Sequence, residues 1–162
     1  QLIAGTNAKI LDTRKTTPGM RWLEKEAVRI GGGTNHRFGL YDMVMLKDNH
    51  VDFAGGITKA VEKTRHYLQQ NNKTLKIEVE VRNFDELNEA LVLNVDRIML
   101  DNFSVENTRR AVEIVAGRCP LESSGGITQA TIRDYAACGV DYISVGALTH
   151  SVKSLDLSFK AL

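Results

Sequence analysis

Short apolar runs recur along the chain, each followed by a polar or glycine-rich turn and then by a stretch whose apolar residues return every three or four positions. The runs are "KILDTR" (9–14), "MVMLKD" (43–48), "KIEVEV" (76–81), "RIMLD" (97–101), "CPLESS" (119–124) and "YISVG" (142–146). Most are continuous rather than alternating, the pattern of strands covered on both faces. The periodic stretches between them read as amphipathic helices. Thr17 and Pro18 fit the N-cap and first position of one, with Met20, Leu23, Ala27 and Ile30 as its apolar stripe and Gly31 as its stop. Asn83 and Glu86 have capping-box spacing ahead of Leu87, Ala90 and Leu91. Ser104 caps a third helix, with Val105, Val112 and Val115 inward and Gly117 as its end. Thr128 caps a fourth, with Ile132, Tyr135 and Ala136 inward and Gly139 as its end.

Alternation of strand and helix predicts a parallel sheet with right-handed crossovers. A complete eightfold barrel takes about 250 residues, and this chain has 162. The expected fold is therefore α/β: a parallel β/α barrel, TIM-like, open or incomplete, with about six to seven strands. A doubly wound open sheet is the alternative. Residues 1–154 make up the barrel domain. The tail "LDLSFKAL" (155–162) alternates as a strand does and is expected to stand apart from the barrel.

Charge narrows the function classes. Twenty-one basic residues face twenty acidic ones, so no global field points to nucleic acid or to an anionic membrane surface. No apolar run approaches the ~20 residues of a membrane span, and no secretory signal pattern opens the chain. Locally the balance is uneven: Lys9, Arg14, Lys15, Arg21, Lys25, Arg29 and Arg37 meet only Asp12, Glu24 and Glu26. Cys119 and Cys138 lack metal-ligand spacing and read as buried, reduced thiols of a cytoplasmic protein.

The residues at or near the C-terminal strand ends are Arg14, Lys47, Glu80, Asp101, Ser124 and Gly146. In a parallel barrel these converge on one mouth. "DTRKTTPG" (12–19) adds Lys15, so three cations and two carboxylates surround the expected cavity. Charges so close to buried strands need partners or a ligand; internal salt bridges, Lys47 with Glu80 for example, are the alternative to a binding site. Glu78 and Glu80, two apart on one strand, face the same side, and the deeper Glu78 is suited to holding a cation in place.

"ESSGGI" (122–127) has the form of a phosphate turn, in which glycines admit a close ligand and the amides opening the next helix donate to an anion. "VGALTH" (145–150) adds Gly146 on the neighbouring strand. "GGGTNHRFG" (31–39) carries His36 and Arg37 in a loop that precedes a strand, so simple βα counting places it away from the mouth. In "LKDNHV" (46–51), turn and cap work for Asp48 and Asn49 is expected over metal binding with His50.

The motifs "DTRKTTPG", "GGGTNHR", "KDNH", "EVEV", "LDN", "ESSGGI" and "VGALTH", in that order and spacing, closely resemble the quinolinate phosphoribosyltransferase family. Its members, also called decarboxylating nicotinate-nucleotide pyrophosphorylases, are pentosyltransferases of NAD biosynthesis. The resemblance implies a seven-stranded open barrel preceded by an N-terminal α/β-sandwich domain, against which the 155–162 strand would pack. It implies a homodimer or higher homo-oligomer of the full-length protein, with one arginine supplied by a neighbouring subunit; turnover is not expected of the barrel portion alone.

The resemblance also implies roles. Thr13, Arg14, His36, Arg37 and Lys47 would hold quinolinate, so the loop bearing His36 and Arg37 must reach the mouth after all. Phosphoribosyl pyrophosphate would meet Lys15 and Lys47 at its pyrophosphate, and Glu80 and Asp101 at its ribose hydroxyls. These two carboxylates would also serve a substrate-borne Mg²⁺, and Asn102 would orient Asp101. Ser124, Gly125, Gly126, Gly146 and His150 would hold the 5′-phosphate. Lys15, Lys47, Glu80 and Asp101 would then form the catalytic set. Three alternatives remain: a molybdenum-transport-associated paralogue on the same barrel, a phosphate-binding fragment without catalysis, and a Schiff-base aldolase using Lys47.

Overall fold

In the computed structural model, which describes residues 1–161, strands and helices alternate from Lys9 to His150, with two helices in succession only after the second strand. The elements are β1 (Lys9–Leu11), α1 (Arg21–Ile30), β2 (Val44–Leu46), α2 (Asp48–Ala54), α3 (Ile57–Gln70), β3 (Ile77–Val81) and α4 (Phe84–Val92). There follow β4 (Arg97–Asp101), α5 (Val105–Val115), β5 (Leu121–Ser124), α6 (Ile132–Ala137), β6 (Tyr142–Ser144) and α7 (Ala147–His150). All six strands form one sheet in the order β1-β6-β5-β4-β3-β2, and every pairing is parallel. Each strand neighbours the next in sequence and β6 returns to β1, so the sheet is a barrel left open along one seam, between β1 and β2. A doubly wound sheet would reverse its strand order, and this one does not.

At the seam the chain makes one further pairing. Thr34 forms an isolated parallel bridge with Leu11. Thr34 N–H donates to Ile10 O at 2.8 Å, and Asp12 N–H donates to Thr34 O at 3.3 Å. Thr34 thus acts as a one-residue seventh strand beside β1.

Side-chain alternation divides the sheet into two faces. Val79, Val81, Ile98, Leu100, Ile143 and Val145 point outward and join the apolar core under the helices, with Ile57, Val61, Leu87, Ala111 and Ile132. The interior face carries Met45, Glu78, Glu80, Met99, Glu122 and Ser144, all buried. The expected caps hold at two helices: Asn83 Oδ1 accepts from Glu86 N–H at 2.9 Å, and Ser104 Oγ accepts from Asn107 N–H at 3.1 Å.

Three expectations change, and one stretch that the sequence pattern left unassigned gains structure. The helix α1 starts at Arg21 rather than at Pro18, because Gly19 takes a left-handed φ of 76° and breaks the run. Its stripe of Met20, Leu23, Ala27 and Ile30 faces away from the sheet, while Lys25 and Val28 are buried instead. The long connection after β2 folds as α2 and α3, separated at Gly55 and Gly56, whose φ values are 84° and 120°. No strand forms over residues 155–161, where Leu155, Leu157 and Phe159 are exposed; Leu162, the last position of the expected tail strand, lies outside the described residues. Among the described residues no helix is long and apolar enough to cross a membrane.

Candidate active site

The C-terminal strand ends open into a cavity of about 620 Å³, within the size range of small-molecule sites. Every residue given a substrate-binding or catalytic role above lines it. Thr13, Arg14 and Lys15 follow β1; Lys47, Glu80, Asp101 and Ser124 lie at the ends of β2 to β5; and Gly146 and His150 follow β6. Gly125 and Gly126 contribute the turn, and His36 and Arg37 come from the seam.

His36 and Arg37 reach the mouth because Thr34 pairs parallel to β1. The chain leaves that bridge in the same direction as every other strand, so the residues after it lie at a C-terminal end. Counting only full strands assigns this loop to the wrong face; the bridge is too short to show as an apolar run. Its backbone is pinned from outside the barrel. Asp12 Oδ1 accepts from His36 N–H at 2.7 Å and from Lys25 Nζ at 2.6 Å, and Asp12 Oδ2 accepts from Asn35 Nδ2 at 2.7 Å. Lys25 also donates to His36 O at 3.1 Å.

The cations fall into two kinds. Lys47 Nζ is paired with Glu80 Oε2 at 2.6 Å, as the salt-bridge alternative expected; committed to that carboxylate, it is not the desolvated free amine that a Schiff base needs. Arg14, Lys15 and Arg37 have no carboxylate within salt-bridge distance among the described residues. Arg14 Nε is buried without a hydrogen-bond partner, a costly state for a charged group unless an anion meets it. Arg37 is destabilised as a cation by its own burial first, then by the charge of Arg14, which lowers its pKa from the ordinary guanidinium value. A dianion bound between them would relieve both. Buried Thr149 holds the neighbouring turn by donating to Lys15 O at 2.7 Å.

The carboxylates keep free oxygens. Asn102 Nδ2 donates to Asp101 Oδ2 at 2.8 Å, as expected, from a left-handed backbone with φ 55°. Asp101 Oδ1 and Glu80 Oε1 have no protein hydrogen bond among the described residues. The "KDNH" segment caps α2, with the cap made by His50, whose Nδ1 accepts from Lys47 N–H at 2.9 Å; Asp48 contributes only a local bond to Asn49 N–H at 2.7 Å.

The glycine turn differs from expectation in one respect. The helix α6 begins at Ile132, after a separate turn in which Thr128 N–H is taken by Thr131 Oγ1 at 3.0 Å. The donors for an anion are therefore loop amides rather than a helix terminus: Gly125, Gly126 and Ile127 N–H have no backbone acceptor among the described residues. Successive positive φ values of 99° and 59° at Gly125 and Gly126 give the turn its concave, anion-binding form. A side chain at Gly125 would also collide with Asn102. At Gly146 the φ is ordinary, but a methyl group would fall 2.7 Å from His150 Nε2.

Beneath the mouth lies a charged floor. His36 Nε2 is 3.3 Å from both Glu78 Oε2 and Glu122 Oε2, and Arg97 Nη1 is 2.9 Å from Glu122 Oε2 and 3.9 Å from Glu78 Oε1. Ser144 donates to Glu122, and Arg97 stacks on Tyr142 with 4.0 Å to the ring centroid. Glu78 thus faces His36 and Arg97, but neither of its carboxylate oxygens has a hydrogen-bond partner among the described residues. His36, Glu78 and Glu122 could group around a metal ion, but the Arg97 guanidinium already supplies the positive charge there.

Two demands on His36 conflict. Burial opposes charging the ring, but the hydrogen bonds and charges of Glu122 and Glu78 outweigh it and raise the pKa to about 9. Against this, Arg37 N–H donates to His36 Nδ1 at 2.7 Å, which needs a lone pair on that nitrogen. An amide cannot give up its proton, so the observed geometry belongs to the neutral Nε2–H tautomer. Glu78, pushed up chiefly by burial, is then the group suited to hold the balancing proton. Burial opposes ionisation of Glu122, but its contact with the His36 Nε2–H and the bond from the Ser144 hydroxyl outweigh it and pull its pKa below the usual carboxylate range.

Glu122, Arg97, Asp12, Lys25 and Asn35 escaped the sequence reading. For Glu122 a signal existed: a carboxylate two residues before Ser124, inside an apolar run, must share the interior face with it. Lys25 offered none, since a lysine on an amphipathic helix reads as solvent-facing.

Comparison with known proteins places this geometry. The family described as "Quinolinate phosphoribosyl transferase, C-terminal domain" matches residues 1–160. The Nicotiana tabacum protein named quinolinate phosphoribosyltransferase (decarboxylating) 2b, mitochondrial, is 48% identical over 168 residues, covering 94% of this chain and 48% of its own. The Arabidopsis thaliana chloroplastic nicotinate-nucleotide pyrophosphorylase (carboxylating) is 48% identical over 172 residues, covering 97% and 49%. Among solved structures, NadC from Streptococcus pyogenes superposes with a TM-score of 0.92 at 46% identity, over 99% of this chain and 55% of that one. The nicotinate-nucleotide pyrophosphorylase from Francisella tularensis gives 0.89 at 51% identity, over 97% and 55%. The chain spans about half the length of these curated relatives. It belongs to the quinolinate phosphoribosyl transferase family and corresponds to that family's C-terminal domain.

Proposed function

We propose that this chain is the catalytic barrel of a decarboxylating quinolinate phosphoribosyltransferase. The reaction joins quinolinate to phosphoribosyl pyrophosphate and gives nicotinate mononucleotide, pyrophosphate and carbon dioxide. One observation carries the reading: unpaired cations, partly free carboxylates and a turn of open amides line a single cavity of about 620 Å³. That set suits a flat dianion beside a phosphorylated sugar.

Arg14 and Arg37, with Thr13 and Lys47, hold the two quinolinate carboxylates; a guanidinium meets a carboxylate bidentately. His36 supports them from the cavity wall. Lys15 meets the pyrophosphate as a point charge. Ser124, Gly146, His150 and the Gly125–Gly126 amides hold the 5′-phosphate, and Glu80 and Asp101 hold the ribose hydroxyls. The ring nitrogen then bonds to the anomeric carbon as the carbon–oxygen bond to pyrophosphate breaks. Loss of the adjacent carboxylate as carbon dioxide leaves an electron pair on the ring carbon, which a proton from solvent completes. Positioning and charge stabilisation supply the acceleration. Glu80 Oε1 and Asp101 Oδ1, hard oxygens without protein donors, fit a Mg²⁺ carried by the pyrophosphate. When bound, that ion neutralises charge on the leaving group.

A homo-oligomer of the longer protein is part of the same proposal. It is supported by the exposed apolar residues of α1, where Trp22 is 68% and Ile30 74% exposed. A cytoplasmic setting is supported by two buried free thiols, although the plant relatives carry organellar names. The test is a turnover assay on the full-length protein, with calorimetry of quinolinate, phthalate and phosphoribosyl pyrophosphate. Release of pyrophosphate and carbon dioxide in equal amounts is expected. Binding without turnover would make the protein a phosphate-binding module, and binding of neither substrate would end this reading.

A further inference from the structure

The open seam raises a mechanical question: what holds residues 35–37 in place where no ladder runs to β2? Thr34 pairs on its β1 side only, through one bridge. On the far side, Arg37 reaches β2 through side-chain contacts alone, from Nη1 to Met43 O at 3.2 Å and from Nη2 to Met45 Sδ at 3.5 Å. Asp12 and Lys25 hold the His36 backbone from outside the barrel, and a further restraint, on its side chain, crosses the barrel interior. His36 Nε2 points to Glu122 on β5 and Glu78 on β3, both at 3.3 Å, close polar contacts rather than aligned hydrogen bonds. These carboxylates are the only groups facing a buried nitrogen without another partner among the described residues. The His36 Nδ1 accepts the Arg37 amide at 2.7 Å. Glu122 is itself fixed by Arg97 at 2.9 Å and by the Ser144 hydroxyl. The imidazole is therefore a spoke from the barrel's far wall to the backbone of a mouth cation.

We propose that Glu122 is a positioning residue for dicarboxylate capture: it holds His36 across the barrel, and His36 holds Arg37 against the seam. The inference rests on the proposed function and adds to it a residue that touches no substrate. Its charge stays fully inside the protein, where Glu122 is 0% exposed, and its three partners lie on the seam segment, β4 and β6. The neighbouring Ser124 on the same strand serves the phosphate turn, so a loss confined to the dicarboxylate separates this role from general damage to β5.

The test uses the full-length protein and calorimetry with quinolinate and phosphoribosyl pyrophosphate separately. Glu122→Gln keeps the shape and the acceptor for Ser144 but removes the charge. It is expected to weaken quinolinate about tenfold or more while phosphoribosyl pyrophosphate changes less than about twofold. His36→Asn keeps an acceptor near the Nδ1 position and deletes the Nε2 arm, and should show the same selective loss. In the double variant the two losses should not add, because both act through one contact. If Glu122→Gln does not fold, Ser144→Ala loosens the same carboxylate and should give a smaller loss in the same direction. Equal weakening of both ligands, additive losses, or unchanged quinolinate affinity would each overturn the inference. A wild-type protein that binds no quinolinate would overturn the function reading as well, and that is seen before any variant is made.

Discussion

Lys25 Nζ lies 2.6 Å from Asp12 Oδ1, with the two side chains 4% and 0% exposed. The pair sits on the outer face of β1, behind the mouth, and the same aspartate holds the backbone of His36 and the amide of Asn35. Removing one member of a buried pair strands the other charge. Lys25→Met is expected to destabilise the domain by roughly 3–5 kcal/mol, read by urea unfolding. A loss under about 1 kcal/mol, typical of surface pairs, would show that Asp12 is satisfied by its other donors alone.

The two halves of the mouth should separate by mutation. Arg14→Ala removes the guanidinium whose Nε is buried without a partner, and quinolinate affinity should fall at least about thirtyfold. Ser124→Ala should mainly weaken phosphoribosyl pyrophosphate. Titration calorimetry reads both; normal binding of both ligands by both variants would mean that the cavity is misassigned.

Gly125 meets two constraints at once, a φ of 99° and contact with the Asn102 side chain. Gly125→Ala should strain the turn by about 1–3 kcal/mol and push Asn102 off Asp101. Phosphoribosyl pyrophosphate binding is expected to drop about tenfold or more, with quinolinate affinity little changed. The contrasting variant is Gly126→Ala, where open space surrounds the added methyl and only the backbone strain remains.

Cys119 gives a pH prediction with a definite sign. Burial, then the nearby charges of Asp96 and Asp141, raise its thiol to about 11. A thiol with a raised folded-state pKa contributes stability below its unfolded value of 9.0, and that contribution is lost as pH rises towards 11. Thermal midpoints should therefore decline above pH 9, and Cys119→Ala should flatten the decline. Alkylation at pH 8 should be slow in the native protein and fast in urea; rapid native labelling would contradict the burial account.

The strand-end chemistry is legible in the sequence. A parallel barrel points every strand the same way, so Arg14, Lys47, Glu80, Asp101, Ser124 and Gly146 had to meet once the fold class was recognised. Caps at Asn83 and Ser104 were equally local, since each is a side chain bonded to an amide three residues on. The α1 stripe misled for a physical reason. Periodicity reports that a helix has an apolar face but not which surface covers it, and here the sheet takes the face carrying Lys25.

Sequence alone thus determined the parallel βα architecture and the set of residues at its mouth, because strand direction and alternation are properties of the local chain. Only the tertiary structure decided that Thr34 is a seventh strand of one residue, which brings His36 and Arg37 to that mouth. It alone joined Glu122, Glu78 and Arg97 around His36, and Lys25 to Asp12. Such pairings link positions far apart in the chain, and their stability comes from shared burial, which no local pattern encodes.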